Sequence, residues 1–204
     1  SIIGDFSADA LRFSLVALTA TGQDVYISKE KFELGRNFGT KIWNAARFLQ
    51  MNAGEAPPDV SDPDFTPELL TADDQHILAR LHKTIAACDE NIERCRFNDY
   101  AKAIYDFFWH EYCDWYVEYA KQPLNGTDAA RKAEVLKVMH YVFANALRLL
   151  HPIMPFLTEE LWQGLGYTVL AESVMIASWP RVMEEEELAA WGVQPAAVAY
   201  VDAK

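Results

Sequence analysis

What this sequence has little of narrows its chemistry first. Its three cysteines, Cys88, Cys95 and Cys113, are odd in number and hold no CxxC pair. Cys113 sits among aromatics as a small buried thiol would, and a reducing compartment fits. No apolar run approaches the roughly 18 to 20 residues that cross a bilayer, and the first residues lack the basic region and apolar stretch of a secretory signal. A soluble, cytoplasmic protein is expected. A glycine-rich phosphate loop, a nucleophile elbow and HExxH are all absent; His110 and Glu111 are adjacent, but Asp114 stands where a second histidine would be needed. None of the five histidines follows a glutamate by three positions, which removes the Glu-x-x-His pairs of a di-iron bundle. His110 and Cys113 are spaced i, i+3, yet two ligands do not make a zinc site and nothing else completes one. Neither a catalytic residue nor a metal ligand is expected.

Positive charge is the other shortage. Lys and Arg number 18 against 30 Asp and Glu, a net charge of −12. Most of that excess is local. Glu55, Asp59, Asp62, Asp64, Glu68, Asp73 and Asp74 occupy a stretch with no Lys or Arg between residues 51 and 79, and Glu184 to Glu187 form a second acidic run. Residues 29 to 48 run the other way, with Lys29, Lys31, Arg36, Lys41 and Arg47 against Glu30 and Glu33. An acidic total therefore leaves room for a local basic surface, one whose binding to a polyanion would be weak and salt-sensitive.

What is present is helical periodicity. At 204 residues and 51% apolar, the chain can bury one sizeable core. Ser7 is placed to cap a helix from about Ala8 to Ala20, carried by Leu11, Leu15 and Leu18. Thr21 to Ile27 reads as a turn, and Ser28 as the cap of a second helix to about Met51. Asn52 to Pro67, with four prolines and Gly54, is a loop. Thr71 and Asp74 form a capping-box start for a third helix to about Arg94, on which His76 and His82 read as surface or interhelix polar groups. Asn98 is expected to cap a fourth helix to Ala120, aromatic on nearly every side and so the central member of a bundle. Thr127 is expected to cap a fifth, ended by Pro152 and Pro155; Thr158 with Glu159 and Glu160 opens a short sixth. Val174 to Trp179 reads as a possible extended segment or edge strand. The expectation is an all-α bundle of about five to six helices over residues 1–180, followed by an acidic tail or linker at 181–204.

The second helix is the most informative. Placed at 100° per residue from Arg36, Arg47 falls at about 20°, Thr40 at about 40°, Asn44 at about 80°, Asn37 at about 100° and Lys41 at about 140°, with Phe48 beside them. Leu34, Phe38, Ile42, Ala45 and Leu49 face a core, while Gly35, Gly39 and Ala46 leave room for another helix to approach. Trp43 lies at the margin near Arg36. Cations neutralise phosphate, amides bond base edges, and an aromatic face receives an unstacked base, so the inventory suits RNA; a merely solvated helix face is the plainer reading.

RNFGTKIWNAARF at Arg36 to Phe48 resembles a segment of class I aminoacyl-tRNA synthetases of the valine, isoleucine and leucine group. ADALRF at Ala8 to Phe13, YDFFWHEYCDWYVEYAK at Tyr105 to Lys121 and LRLLHPIMPFLTEELW at Leu147 to Trp162 resemble the same family in the same order. The wording WHEYCDWY and HPIMPF is nearest the valine branch. The resemblance implies the helical anticodon-binding domain, with valine-accepting tRNA as partner through its anticodon loop and the catalytic domain of the same polypeptide as neighbour, in a monomer. It implies that the adenylation motifs, HIGH and KMSKS, lie elsewhere: they are absent here, ADALRF follows the catalytic loop in the family, and this chain should not activate an amino acid. ATP and Mg would serve that missing domain; no cofactor is expected in this chain. By the same resemblance Asn44 and Arg47 occupy positions implied in reading anticodon bases. The family has glycine where this chain has Ser7, which puts the entry to the first helix in question. The RNA-binding set is thus Arg36, Asn37, Lys41, Asn44, Arg47 and Phe48. Alternatives are the same domain of the isoleucine branch, or a helical protein-interaction module meeting an acidic partner.

Overall fold

The structure is a computed structural model that describes residues 4, 6–19, 28–53, 60 and 63–203. Among these residues every regular element is helical. The expected turn at Thr21 to Ile27 lies outside the described residues.

Helix α1 (Ala8–Leu18) starts where the Ser7 hydroxyl accepts a hydrogen bond from the Ala10 amide, at 3.2 Å. Ser7 holds φ 86° and ψ 159°, a conformation that glycine adopts freely and a side chain resists. That geometry accounts for the family's glycine at this position; the serine keeps the turn and adds a cap. Helix α2 (Glu33–Asn52) is entered through a 3₁₀ turn, Lys29–Phe32. Ser28, expected as its cap, is extended and makes no capping bond.

Helix α3 (Ala72–Glu93) has the full capping box expected of Thr71 and Asp74. It closes at Cys95, φ 54°, where the Arg96 amide reaches back to the Asn91 carbonyl at 2.8 Å, the pattern that satisfies the last orphan carbonyls. The fourth helix differs from expectation at both ends. It runs as α4 (Phe97–Asp106), a π-helical segment (Phe107–Tyr116) and α5 (Val117–Leu124). Asn98 lies inside the first turn instead of capping it, and Pro123, which has no amide to give the helix, sits one residue before the helix ends at Leu124. The π stretch widens the turn over FFWHEYCDWY, so side-chain directions there depart from a 100° wheel.

Helix α6 (Ala129–Leu150) is capped by Asp128, whose carboxylate accepts from the Arg131 amide at 3.0 Å, and not by Thr127 one residue earlier. It is also the central helix: every residue from Val138 to Leu147 is buried. The aromatic segment expected in that role leaves His110, Asp114 and Trp115 exposed. The aromatic segment buries Phe107, Phe108, Tyr112, Cys113 and Tyr116 and leaves the rest at least partly to solvent, whereas α6 is covered over a continuous run.

Helix α7 (Pro155–Gly164) opens at Pro155, where the missing amide is harmless. Thr158, expected as its start, is an interior residue, fully buried, with its hydroxyl on the Met154 carbonyl at 2.8 Å. Val174–Ile176 is a 3₁₀ turn, so the possible extended segment is corrected. The stretch expected as an acidic tail or linker is helical in part. Helices α8 (Glu185–Ala190) and α9 (Pro195–Asp202) follow, and α9 packs on α3. Leu188, Val193 and Val201 are buried there, and Asp202 reaches His76 at 2.9 Å. The glutamate run that looked like a solvated tail supplies a helix start: Glu184 caps, Glu187 completes the box, and negative charge suits an N-terminus.

Candidate nucleic-acid interface

The rotation of α2 about its axis decides which of its side chains meet solvent. Phe38, Ile42 and Leu49 are wholly buried, and Phe38 lies 4.8 Å from the Phe13 ring and 4.9 Å from the Tyr105 ring. At Gly35 the helix touches α1 so closely that a Cβ would stand 2.3 Å from the Ala10 carbonyl oxygen. The Gly35 amide donates to the Ser14 hydroxyl at 3.1 Å across the same contact. These contacts leave α2 one orientation, with Arg36, Asn37, Thr40, Asn44 and Arg47 exposed together. A Cβ at Gly39 would meet Met154 and Leu157 only at ordinary contact distances, so the close approach rests on Gly35.

The six residues expected to bind RNA share this surface in different states. Asn37, Asn44 and Arg47 make no side-chain hydrogen bond or ion pair among the described residues, so none of them ties α2 to another helix there. Arg36 is half-exposed, 3.3 Å from Glu33, with its guanidinium carbon 5.3 Å from the centre of the Phe6 ring. Lys41 is held more firmly: its ammonium lies 2.6 Å from Asp114 and 5.1 Å from the centre of the Trp109 ring. Asp114 also lies 3.4 Å from His110. That partner was not legible from the wheel, since Lys41 and Asp114 are 73 positions apart. Phe48 is half-buried, one side packed on the core. Trp43, at the margin of the wheel, is 42% exposed.

The other strings quoted for the family resemblance do structural work. Asp9 is buried and accepts from the Leu157 amide at 2.6 Å and the Phe156 amide at 3.3 Å, capping α7. Burial pushes its carboxyl up, and the two amides and nearby Arg12 pull it back. Arg12 donates to the Pro152 and Ile153 carbonyls at 2.9 and 3.0 Å. ADALRF and HPIMPF are therefore one joint, closed by a carboxylate at a helix N-terminus and a guanidinium on a turn. Among the described residues no group of three or more His, Cys, Asp or Glu is placed to hold a metal ion, and no helix is long and apolar enough to cross a membrane.

This chain belongs to a family described as the anticodon-binding domain of tRNA ligase, whose profile matches residues 74–202. It resembles valine-tRNA ligases in particular. It is 45% identical over 186 residues to that of Geobacter sulfurreducens, and 43% identical over 184 residues to that of Geobacillus kaustophilus. These alignments span 91% and 90% of the chain but only 21% and 20% of the relatives, so the chain covers about a fifth of their length. The fold is shared with LeuRS of Agrobacterium radiobacter K84, solved as a ternary complex with tRNA and LeuAMS. There the TM-score is 0.67 at 19% identity, over 95% of this chain and 21% of that one.

Proposed function

We propose that this chain recognises the anticodon stem and loop of valine-accepting tRNA, as the anticodon-binding region of a cytoplasmic, monomeric valine-tRNA ligase whose catalytic domain lies outside it. ATP and Mg act in that other domain. The observation that carries the reading is the outer face of α2. Two amides and a guanidinium, Asn37, Asn44 and Arg47, are exposed and have no side-chain partner among the described residues, beside the free side of Phe48. Arg47 neutralises a phosphate or forks onto a base; the amides supply paired donor and acceptor edges; Phe48 offers a stacking surface. Lys41 contributes less, because Asp114 already neutralises much of its charge. Its role is to hold α2 against the π segment.

The test is a titration of the chain at low salt with valine-accepting tRNA, beside isoleucine-accepting tRNA and beside the Arg47→Ala variant. Preferential binding that weakens steeply with salt and is lost in Arg47→Ala supports the reading. Binding equal for both tRNAs and unchanged by Arg47→Ala overturns it. Phe48→Ala is expected to weaken binding by about 1 to 3 kcal/mol, the worth of one stacked base, together with a smaller loss of stability from its packed side.

A further inference from the structure

Three tryptophans are strongly exposed among the described residues, and they differ in one respect. Trp115 donates its indole N–H to Asp73 at 3.3 Å and Trp179 donates to Asp89 at 2.7 Å, so both are tied to carboxylates. Trp43, 42% exposed, has no hydrogen-bond partner among the described residues and stands beside a cation. It walls a cleft of about 380 Å³ with Arg36, Phe6, Thr40, Met154 and Leu157. Asp9 also borders this cleft, but its carboxylate is committed to the two amides that start α7. Gly39 adds no side chain to the cleft, and the Arg36 guanidinium carbon lies 5.3 Å from the centre of the Phe6 ring, which also lines it.

We infer that this cleft between the start of α2 and the start of α7 is a second stacking site, which takes an unpaired nucleobase of the bound tRNA against Trp43, with Arg36 on the adjoining phosphate. The inference rests on the reading of α2 as an RNA-binding helix and widens that surface from Asn44 and Arg47 past Trp43 toward α7. The chemistry favours a base over a protein side chain. An exposed indole whose N–H has no partner among the described residues, a guanidinium over an aromatic ring, and an apolar floor whose bordering carboxylate, Asp9, is committed to backbone amides are what a planar ring joined to a phosphate needs. Continuity supports it too: on the wheel Trp43 lies about 40° from Arg47, so one strand of RNA can touch both.

The experiment is a two-dimensional ¹H–¹⁵N spectrum of the chain titrated with an RNA hairpin carrying a valine anticodon stem and loop, and then with the whole tRNA, the Trp43 indole signal being identified through Trp43→Phe. The expected result is that the Trp43 indole signal shifts with either RNA while those of Trp115 and Trp179 stay in place. Trp43→Ala should weaken binding about 5- to 150-fold, the range of a single stacked base, and Trp43→Phe should recover most of the loss. If the amides of Asn44 to Phe48 respond and the Trp43 indole does not, the second site is overturned while the α2 reading stands, and the cleft is left to a protein surface. If neither responds at any RNA concentration, both fall. Circular dichroism of Trp43→Ala separates lost binding from lost folding.

Discussion

Two polar regions of this molecule put their hydrogen-bonding side chains to opposite uses. At the start of α3, Asp74 is fully buried and every neighbour spends its hydrogen bonds on it: Thr71 through its amide and hydroxyl at 2.7 and 2.9 Å, Tyr116 at 2.6 Å and Arg131 at 2.6 Å. Tyr119 closes the ring, 2.7 Å from Thr71 and 3.2 Å from Arg131. This cluster ties α3, the π segment, α5 and α6 together. On the outer face of α2, by contrast, Asn37, Asn44 and Arg47 bond to nothing within the described chain. A polar group that has found its partner stabilises the fold; one that has none is free to recognise something else. The aspartate that looks most reactive by burial is thus structural, and the plain amides on the surface are the better candidates for binding.

The comparison breaks most visibly at Asp74. Asp74→Ala strands Arg131 with its counter-charge gone, and is expected to cost about 3 to 5 kcal/mol; urea unfolding measures it. A loss below about 1 kcal/mol would show that the cluster is incidental.

The buried side also predicts a pH dependence. His82 and His140 are both pushed down to about 4 from 6.5, chiefly by burial, the Arg181 charge adding to it at His82. Each is neutral in the fold and held by a tyrosine: Tyr141 at 3.2 Å for His82, Tyr167 at 2.8 Å for His140. Between pH 6.5 and about 4 the unfolded chain takes up protons that the folded chain refuses. Stability from this source is therefore complete above pH 6.5 and falls as the pH drops, by about 2 kcal/mol per histidine at pH 5. Unfolding measured at about pH 7 and pH 5 should show that fall, and His82→Gln with His140→Gln should flatten it.

Gly35→Ala tests how the two regions are linked. A methyl against a backbone oxygen forces α1 and α2 apart and is expected to cost about 1 to 3 kcal/mol, with RNA binding weakened beyond that because the outer face turns with the helix. The smallest effect on stability belongs to the open surface. Asn44→Ala and Arg47→Ala should leave the unfolding free energy within about 0.5 kcal/mol while lowering RNA affinity. A large stability loss at either position would place it with Asp74 and end the distinction.

Local signals were readable wherever the physics is local. The Ser7 cap, the Thr71 and Asp74 box, the core stripe of α2 and the close approach at Gly35 follow from spacing and side-chain size, and the structure contains all four. The misplaced caps show the limit of the same rules. Thr127 and Asp128 are both capping residue types, and Pro155 and Thr158 are both residue types that favour a helix start; which one wins depends on where the preceding chain enters. The π segment and the two C-terminal helices were missed for a different reason. Five-residue hydrogen bonding is invisible to a 3.6-residue pattern, and α8 and α9 are held by burying Leu188, Val193 and Val201, a gain that exists only once the bundle is assembled.

The sequence alone determined the helical class, the family and the one helix whose outer face is rich in cations and amides, because periodicity, glycine placement and charge distribution are properties of neighbours along the chain. The tertiary structure decided which polar groups remain available. Lys41 met Asp114, Asp74 met Arg131, and Asn44, Arg47 and Trp43 met no polar partner among the described residues. Hydrogen-bond satisfaction is settled between residues far apart in sequence, and no local pattern records it.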